Sequence, residues 1–118
     1  MSDPRDAIET DERPWGRFTR YAFNERCTVK IIEVEAGGVL SLQRHARRDE
    51  LWVALDPGLT FVIDDDELSP SVGEPHLVPA GSVHRVRAGD ASGRFLEVAF
   101  GEFDEDDIER LEDAYGRS

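Results

Sequence analysis

Lysine is almost missing from this chain: Lys30 is the only one, and every other basic residue is arginine. Asp and Glu total 26 against 14 Lys plus Arg, which leaves a net charge of −12 at pH 7. That balance excludes nucleic acid and anionic membrane surfaces as partners, because binding to either depends on Lys and Arg meeting phosphate. An acidic chain nearly without lysine fits adaptation to high salt, where screening relieves self-repulsion. A GC-rich genome, in which arginine codons displace lysine codons, would give the same composition. Cysteine is as scarce, with Cys27 alone, so no internal disulfide framework exists. No apolar run approaches the roughly 18 residues of a membrane-spanning helix. The first residues, MSDPRDAIETDERP, lack the basic and apolar regions of a secretory leader. These absences predict a soluble, cytoplasmic protein.

What is present is an ordinary globular composition, 39% hydrophobic despite 34% charged residues, over a length that suits one hydrophobic core. Residues 1–12 are polar, with only Ala7 and Ile8 to pack, and are read as a mobile N-terminal arm ahead of a single domain over 13–118. From Trp15 the chain reads as short strands: FTRYAF, CTVKIIEVEA, VLSLQRH, ELWVAL, LTFVID, PHLVP, HRVRA and RFLEVAF. Turn clusters separate them at Gly37-Gly38, Asp56-Pro57-Gly58, Asp64-Asp65-Asp66, Pro79-Ala80-Gly81 and Ala88-Gly89-Asp90. Many short strands with regular turn signals predict an all-β sandwich or barrel. The last segment changes period. In DEDDIERLEDAYGR, Ile108, Leu111 and Tyr115 fall at i, i+3 and i+7, which predicts one amphipathic helix capped by Asp104 and stopped by Gly116.

Alternation along VLSLQRH puts Ser41, Gln43 and His45 on one face, with Leu40, Leu42 and Arg44 on the other. The next strand groups Glu50 with Trp52 and Ala54, and the turn at Pro79-Ala80-Gly81 delivers His84 at the head of a further strand. Two imidazoles, a carboxylate and an amide oxygen form a donor set for one divalent ion: Zn, Mn, Fe, Co or Ni. Taken singly, each of these residues is more often an ordinary polar residue than a ligand. In RFLEVAF, Glu97 lies on the face of Phe95 and Ala99, where a carboxylate serves either as a general base with a raised pKa or as a paired structural group. Lys30, Arg47 and Arg85 could clamp a phosphate or simply be solvated. His76 reads as a surface histidine, Cys27 as a small core residue and Asp64-Asp65-Asp66-Glu67 as a hairpin turn without the spacing of a calcium loop.

Gly37-(five residues)-Gln43-x-His45-(four)-Glu50 resembles the first cupin motif, and Gly73-(five)-Pro79-x-Gly81-(two)-His84 the second. More narrowly, RPWG (13–16), LSLQ-x-H (40–45), R-x-E-x-W (48–52), P-x-G-x-x-H (79–84), LEV (96–98) and DDIERLEDAYGR resemble the cupin domain of type II mannose-6-phosphate isomerases, from Arg13 to Arg117. That domain is usually the C-terminal part of a bifunctional enzyme whose other half is a guanylyltransferase, for which no stretch of this sequence stands. The resemblance implies a double-stranded β-helix or jelly-roll barrel, and a site of Gln43, His45, Glu50 and His84 around one ion, zinc first among the candidates. It implies conversion of mannose 6-phosphate to fructose 6-phosphate; for that reaction the residue pattern itself offers Glu97 and Arg85 as catalytic candidates and Lys30 and Arg47 as substrate-binding ones. The sequence departs from the family at Arg47, Leu51, Pro57 and Ala88, positions expected around the barrel mouth. Two other functions fit such a barrel: a non-catalytic metal-containing cupin that binds a sugar or metabolite, and a different cupin enzyme such as a metal-dependent oxygenase. Exposed sheet edges predict a homodimer.

Overall fold

Eleven strands and one 3-10 turn account for the regular structure in the computed structural model, which describes residues 3–113. After the turn at Pro4–Ala7, strands β1 (Glu9–Arg13) and β2 (Gly16–Arg20) form a separate antiparallel hairpin. The remaining strands are β3 (Cys27–Val34), β4 (Leu42–Arg44), β5 (Glu50–Ala54), β6 (Leu59–Ile63), β7 (Asp66–Leu68), β8 (Pro75–Val78), β9 (Val83–Ala88), β10 (Gly93–Phe100) and β11 (Glu109–Glu112). They make two antiparallel sheets, ordered β3-β10-β5-β8 and β11-β4-β9-β6-β7. The architecture is all-β, as the strand and turn pattern implies.

Inward-facing residues of both sheets meet in one core. Val34, Trp52, Ala54, Val78 and Phe95 from the first sheet pack on Leu59, Phe61, Val86 and Ala88 from the second. Trp52, Phe61 and Phe95 meet edge to face with centroids 5.1–5.7 Å apart, the arrangement that the ring quadrupole favours. Strand β5 is buried on both faces, because a second cluster of Leu51, Val53 and Val98 lies on the outside of its sheet. Ile8 and Tyr21 pack over that cluster.

In the segment expected to be a mobile arm, Pro4–Ala7 forms the 3-10 turn, Ile8 packs on the outer cluster, and Glu9–Arg13 pairs with Gly16–Arg20. The expected C-terminal helix is corrected: no helix occurs over the described part of that segment. Strand β4 is only three residues long, and its edge away from β9 offers unpaired backbone groups; β11 pairs with it antiparallel, with Arg110 opposite Gln43. Closing a sheet edge outweighs a weak helical period in a highly charged segment. Tyr115 and Gly116, the end of the expected helix, lie outside the described residues.

Candidate metal centre

Three connections bring the two halves of the motif pattern together. Gln43 lies directly across from His84 in the β4–β9 pair. Gly81, at φ +84° in the turn before β9, donates its N–H to the His45 carbonyl at 2.7 Å; a residue with a Cβ would be strained there. Asp49 accepts the Ala80 N–H at 2.8 Å and so ties the β4–β5 loop to the same turn. His45, Glu50 and His84, all buried, converge so that one donor atom from each lies within 4.8 Å of the others. The Trp52 and His84 rings are nearly perpendicular with centroids 5.4 Å apart, so the aromatic core borders the cluster.

The donors suit a divalent ion. His45 Nδ1 is 2.7 Å from the Asp107 carbonyl and His84 Nδ1 is 3.0 Å from the Ser82 carbonyl. A carbonyl can only accept, so both Nδ1 atoms carry the proton and the one lone pair of each ring sits on Nε2, the atom that could ligate a metal. Burial holds the His84 pKa below its usual value; the nearby Glu50 carboxylate opposes this, and His45 reinforces it. That keeps the imidazole neutral, as metal ligation requires. The Gln43 amide nitrogen donates to the buried Ser41 hydroxyl at 2.5 Å, which leaves the amide oxygen for an ion.

Beside the cluster opens a cavity of about 270 Å³, lined among others by Lys30, Gln43, His45, Arg48, Glu97 and Arg110. Its size is near the lower bound of small-ligand clefts. Glu97 faces it from the interior side of β10, in line with the alternation of RFLEVAF. Burial, and after it the charge of Glu50, push the Glu97 pKa up to about 7, against the pull of Lys30 and Arg48. Lys30 reaches the cavity from β3 and stacks on Phe103, its ammonium 4.3 Å from the ring centroid.

Two expected site residues lie elsewhere. Arg85 follows His84 on a strand, so its side chain leaves by the opposite face; it donates to the Leu40 carbonyl (3.1 Å) and pairs with Glu112 (3.4 Å) on the outer surface. Arg47 is exposed in the β4–β5 loop and pairs with Asp104 at 2.9 Å. The positions that depart from the family also miss the mouth. Leu51 and Ala88 are buried in packing clusters, and neither they nor Arg47 or Pro57 line the cavity. His76 is half-buried against Phe61 rather than on the surface, with Nε2 2.9 Å from Glu74. Leu40, grouped by alternation with Leu42 and Arg44 on the face opposite Gln43 and His45, packs against the core and lines the cavity with those two residues, because regular pairing starts only at Leu42.

Sequence reasoning missed Arg48, Phe103, Asp107 and Arg110. Asp107 accepts the backbone N–H of Ala46 (2.9 Å) and of Arg47 (3.0 Å) on its carboxylate, in addition to holding His45 through its carbonyl. The two amide bonds hold its pKa below the usual carboxylate value. The R-x-E spacing carried a signal for Arg48, since residues two apart on an extended run share a side.

A family model described as the mannose-6-phosphate isomerase C-terminal domain matches residues 4–113. The alginate biosynthesis protein AlgA of Pseudomonas aeruginosa is 38% identical over 108 residues, covering 90% of this chain and 22% of that protein. The mannose-1-phosphate guanylyltransferase of Escherichia coli is 35% identical over 107 residues, covering 89% of this chain and 22% of that protein. The chain thus spans about a fifth of the length of the curated relatives it matches. Among solved structures, the capsular polysaccharide assembling protein CapF of Staphylococcus aureus superposes with a TM-score of 0.64 at 19% identity, over 90% of this chain and 33% of that one. A cupin 2 conserved barrel domain protein of Rhodopseudomonas palustris gives 0.62 at 23% identity, over 71% of this chain and 62% of that one. At those identities the structural likeness shows the cupin fold alone. Because the sequence match runs through both sheets and every strand of the barrel, the chain belongs to the mannose-6-phosphate isomerase C-terminal family of cupins.

Proposed function

We propose that the protein is a metal-dependent isomerase that interconverts mannose 6-phosphate and fructose 6-phosphate. The observation that carries this is the cluster of His45, Glu50 and His84 beside one cavity whose walls include His45 and Gln43 together with a base, Glu97, and a cation, Lys30. Gln43, His45, Glu50 and His84 would hold one divalent ion, zinc most suitably. When bound, that ion would polarise the carbonyl and hydroxyl oxygens at C1 and C2. Glu97 takes the proton from C2 and returns it to C1 through an enediol, while the hydroxyl proton on O2 passes to O1; nothing is oxidised overall. Lys30 and Arg110 line the cavity beside Glu97 and Glu105, and they are the cations placed to meet an incoming phosphate there. They take the part that the sequence suggested for Arg85 and Arg47.

The test is coupled detection of fructose 6-phosphate with added zinc, manganese or cobalt, at low and at molar salt. We expect turnover that chelation abolishes. Metal-loaded, folded protein without turnover in any of these conditions would overturn the isomerase reading; if it still bound the sugar phosphate, a non-catalytic binding role would replace it.

We further propose a homodimer and a cytoplasmic site of action. Strand β3 is an edge of its sheet, and its outward residues Val29 and Ile31 are 57% and 61% exposed. The β1–β2 hairpin, a sheet of its own, exposes Trp15 at its tip. A second copy would cover apolar surface that a monomer leaves in water. Sedimentation at micromolar concentration should give a dimer in low and high salt, and Ile31→Asp should shift it toward monomer; a wild-type monomer in both salts rules the dimer out. Among the described residues, no helix is long and apolar enough to cross a membrane.

A further inference from the structure

Arg48, the first residue of the R-x-E-x-W run, lies against two of the three clustered donors. It is 7% exposed, a setting that a guanidinium tolerates only when paired. Its Nε donates to Glu50 Oε2 (2.9 Å) and its Nη2 to His45 Nε2 (3.2 Å). Nη1 donates to the Asp104 carbonyl (3.2 Å), and the guanidinium lies over Phe103, 4.3 Å from the ring centroid. Two of the three clustered donors thus give electron density to one internal cation.

For Glu50 this is compatible with a bound ion, because a carboxylate has about four lone-pair sites. For His45 it is not. Its Nδ1–H is committed to the Asp107 carbonyl, so Nε2 holds the only lone pair of the ring. A lone pair that accepts an N–H from Arg48 cannot also bind a metal. A guanidinium held there would also repel a divalent ion strongly at such range, with little water between them. Without any cation, on the other hand, Glu50 would be a carboxylate at 1% exposure, left with the Trp52 indole N–H at 3.3 Å. A buried carboxylate so poorly matched is costly.

We propose that Arg48 is an internal stand-in for the metal: it neutralises Glu50 and occupies His45 Nε2 in the metal-free protein, and it releases His45 when an ion binds. The inference rests on reading His45, Glu50 and His84 as metal ligands. The segment after β10 supports it twice over. Phe103 and the Asp104 carbonyl hold Arg48, while the Asp107 carbonyl fixes the His45 tautomer. The cavity that Arg48 lines gives its head a place to go once His45 is released.

Titration of the full chain with cobalt, in wild type, Arg48→Met and Arg48→Lys, separates the outcomes. We expect Arg48→Met to lower the melting temperature of the metal-free protein by roughly 5 °C or more. We expect it to tighten cobalt binding by about tenfold or more, with Arg48→Lys in between. Side-chain NMR of the wild type provides a readout that does not depend on any variant folding: the Arg48 Nε–H signal should move when the protein is saturated with zinc. An unmoved signal, or a folded Arg48→Met that binds cobalt no more tightly than wild type, overturns the stand-in role and leaves the metal reading intact. Failure of wild type and both variants to bind any metal removes the metal reading and this inference together.

Discussion

Glu97→Gln should reduce isomerase turnover by about 10²–10⁴-fold, the usual contribution of a positioned base, while the metal content stays at the wild-type level. The side chain reaches the cavity from β10 and is not among the clustered donors, so its loss separates proton transfer from metal binding. Burial and the neighbouring Glu50 charge raise its pKa to about 7 in the metal-free protein. A base must be ionised to work, so the rate should rise with pH through that ionisation and level off above it. A divalent ion beside Glu97 favours the carboxylate, which places the rising limb of the loaded enzyme below 7. Glutamine cannot titrate, and any residual activity of the variant should lack this limb. The same shift has a consequence for stability. A folded-state pKa raised from the usual 4.5 to about 7 means that the folded protein prefers the protonated group. Its contribution is therefore intact below about 4.5 and is lost as pH rises toward and through 7. Metal-free Glu97→Gln should melt higher than wild type at pH 8 and alike at pH 4. A variant that turns over at the wild-type rate would remove Glu97 from the mechanism.

The alternation of apolar residues and the spacing of turns made the barrel legible because each strand packs on one interior and each turn reverses the chain. Glu50 shares a face with Trp52 and Ala54 in the structure just as the period of two requires, and the interior side of Glu97 follows from Phe95 and Ala99 in the same way. The same rule, applied to Arg85, would have turned it away from the site, since it is the immediate neighbour of His84 on β9. The C-terminal segment misled for a different reason. Ile108, Leu111 and Tyr115 fit a helical face, yet Ile108 lines the cavity and Leu111 is 46% exposed. The demand of the β4 edge for a partner cannot be seen in the local pattern. Asp107 escaped because a single charged residue in a chain this rich in aspartate carries no periodic signal, and Arg48 because its one local cue, the R-x-E spacing, says nothing of the segment that holds it. The contacts that reveal them are made across the fold: Arg48 to Phe103 and the Asp104 carbonyl, and Asp107 to the loop after His45.

His84→Ala should weaken divalent-ion binding by about a hundredfold or more, beyond what is usual for loss of a residue that merely supports a ligand, and His76→Ala should leave it unchanged. The two histidines make a matched pair of tests because both are shielded from solvent and both touch aromatic rings, His84 at Trp52 and His76 at Phe61. Only His84 has a partner imidazole and a carboxylate within reach: the His45 ring centre is 4.9 Å away, and Glu50 completes the cluster. Among the described residues, His76 pairs with Glu74 at 2.9 Å and belongs to no cluster of three donors, so it has too few for an ion. Truncating either ring leaves a void beside the aromatic core, so a loss of stability is expected from both and discriminates nothing. Metal affinity does discriminate. Elemental analysis after metal supplementation, followed by competition with a chelator at a temperature where both variants are folded, reads it directly. Equal weakening in the two variants, or none in His84→Ala, would mean that the β9 histidine is a packing residue. The cavity would then have to be explained by Glu97, Lys30 and Arg48 alone.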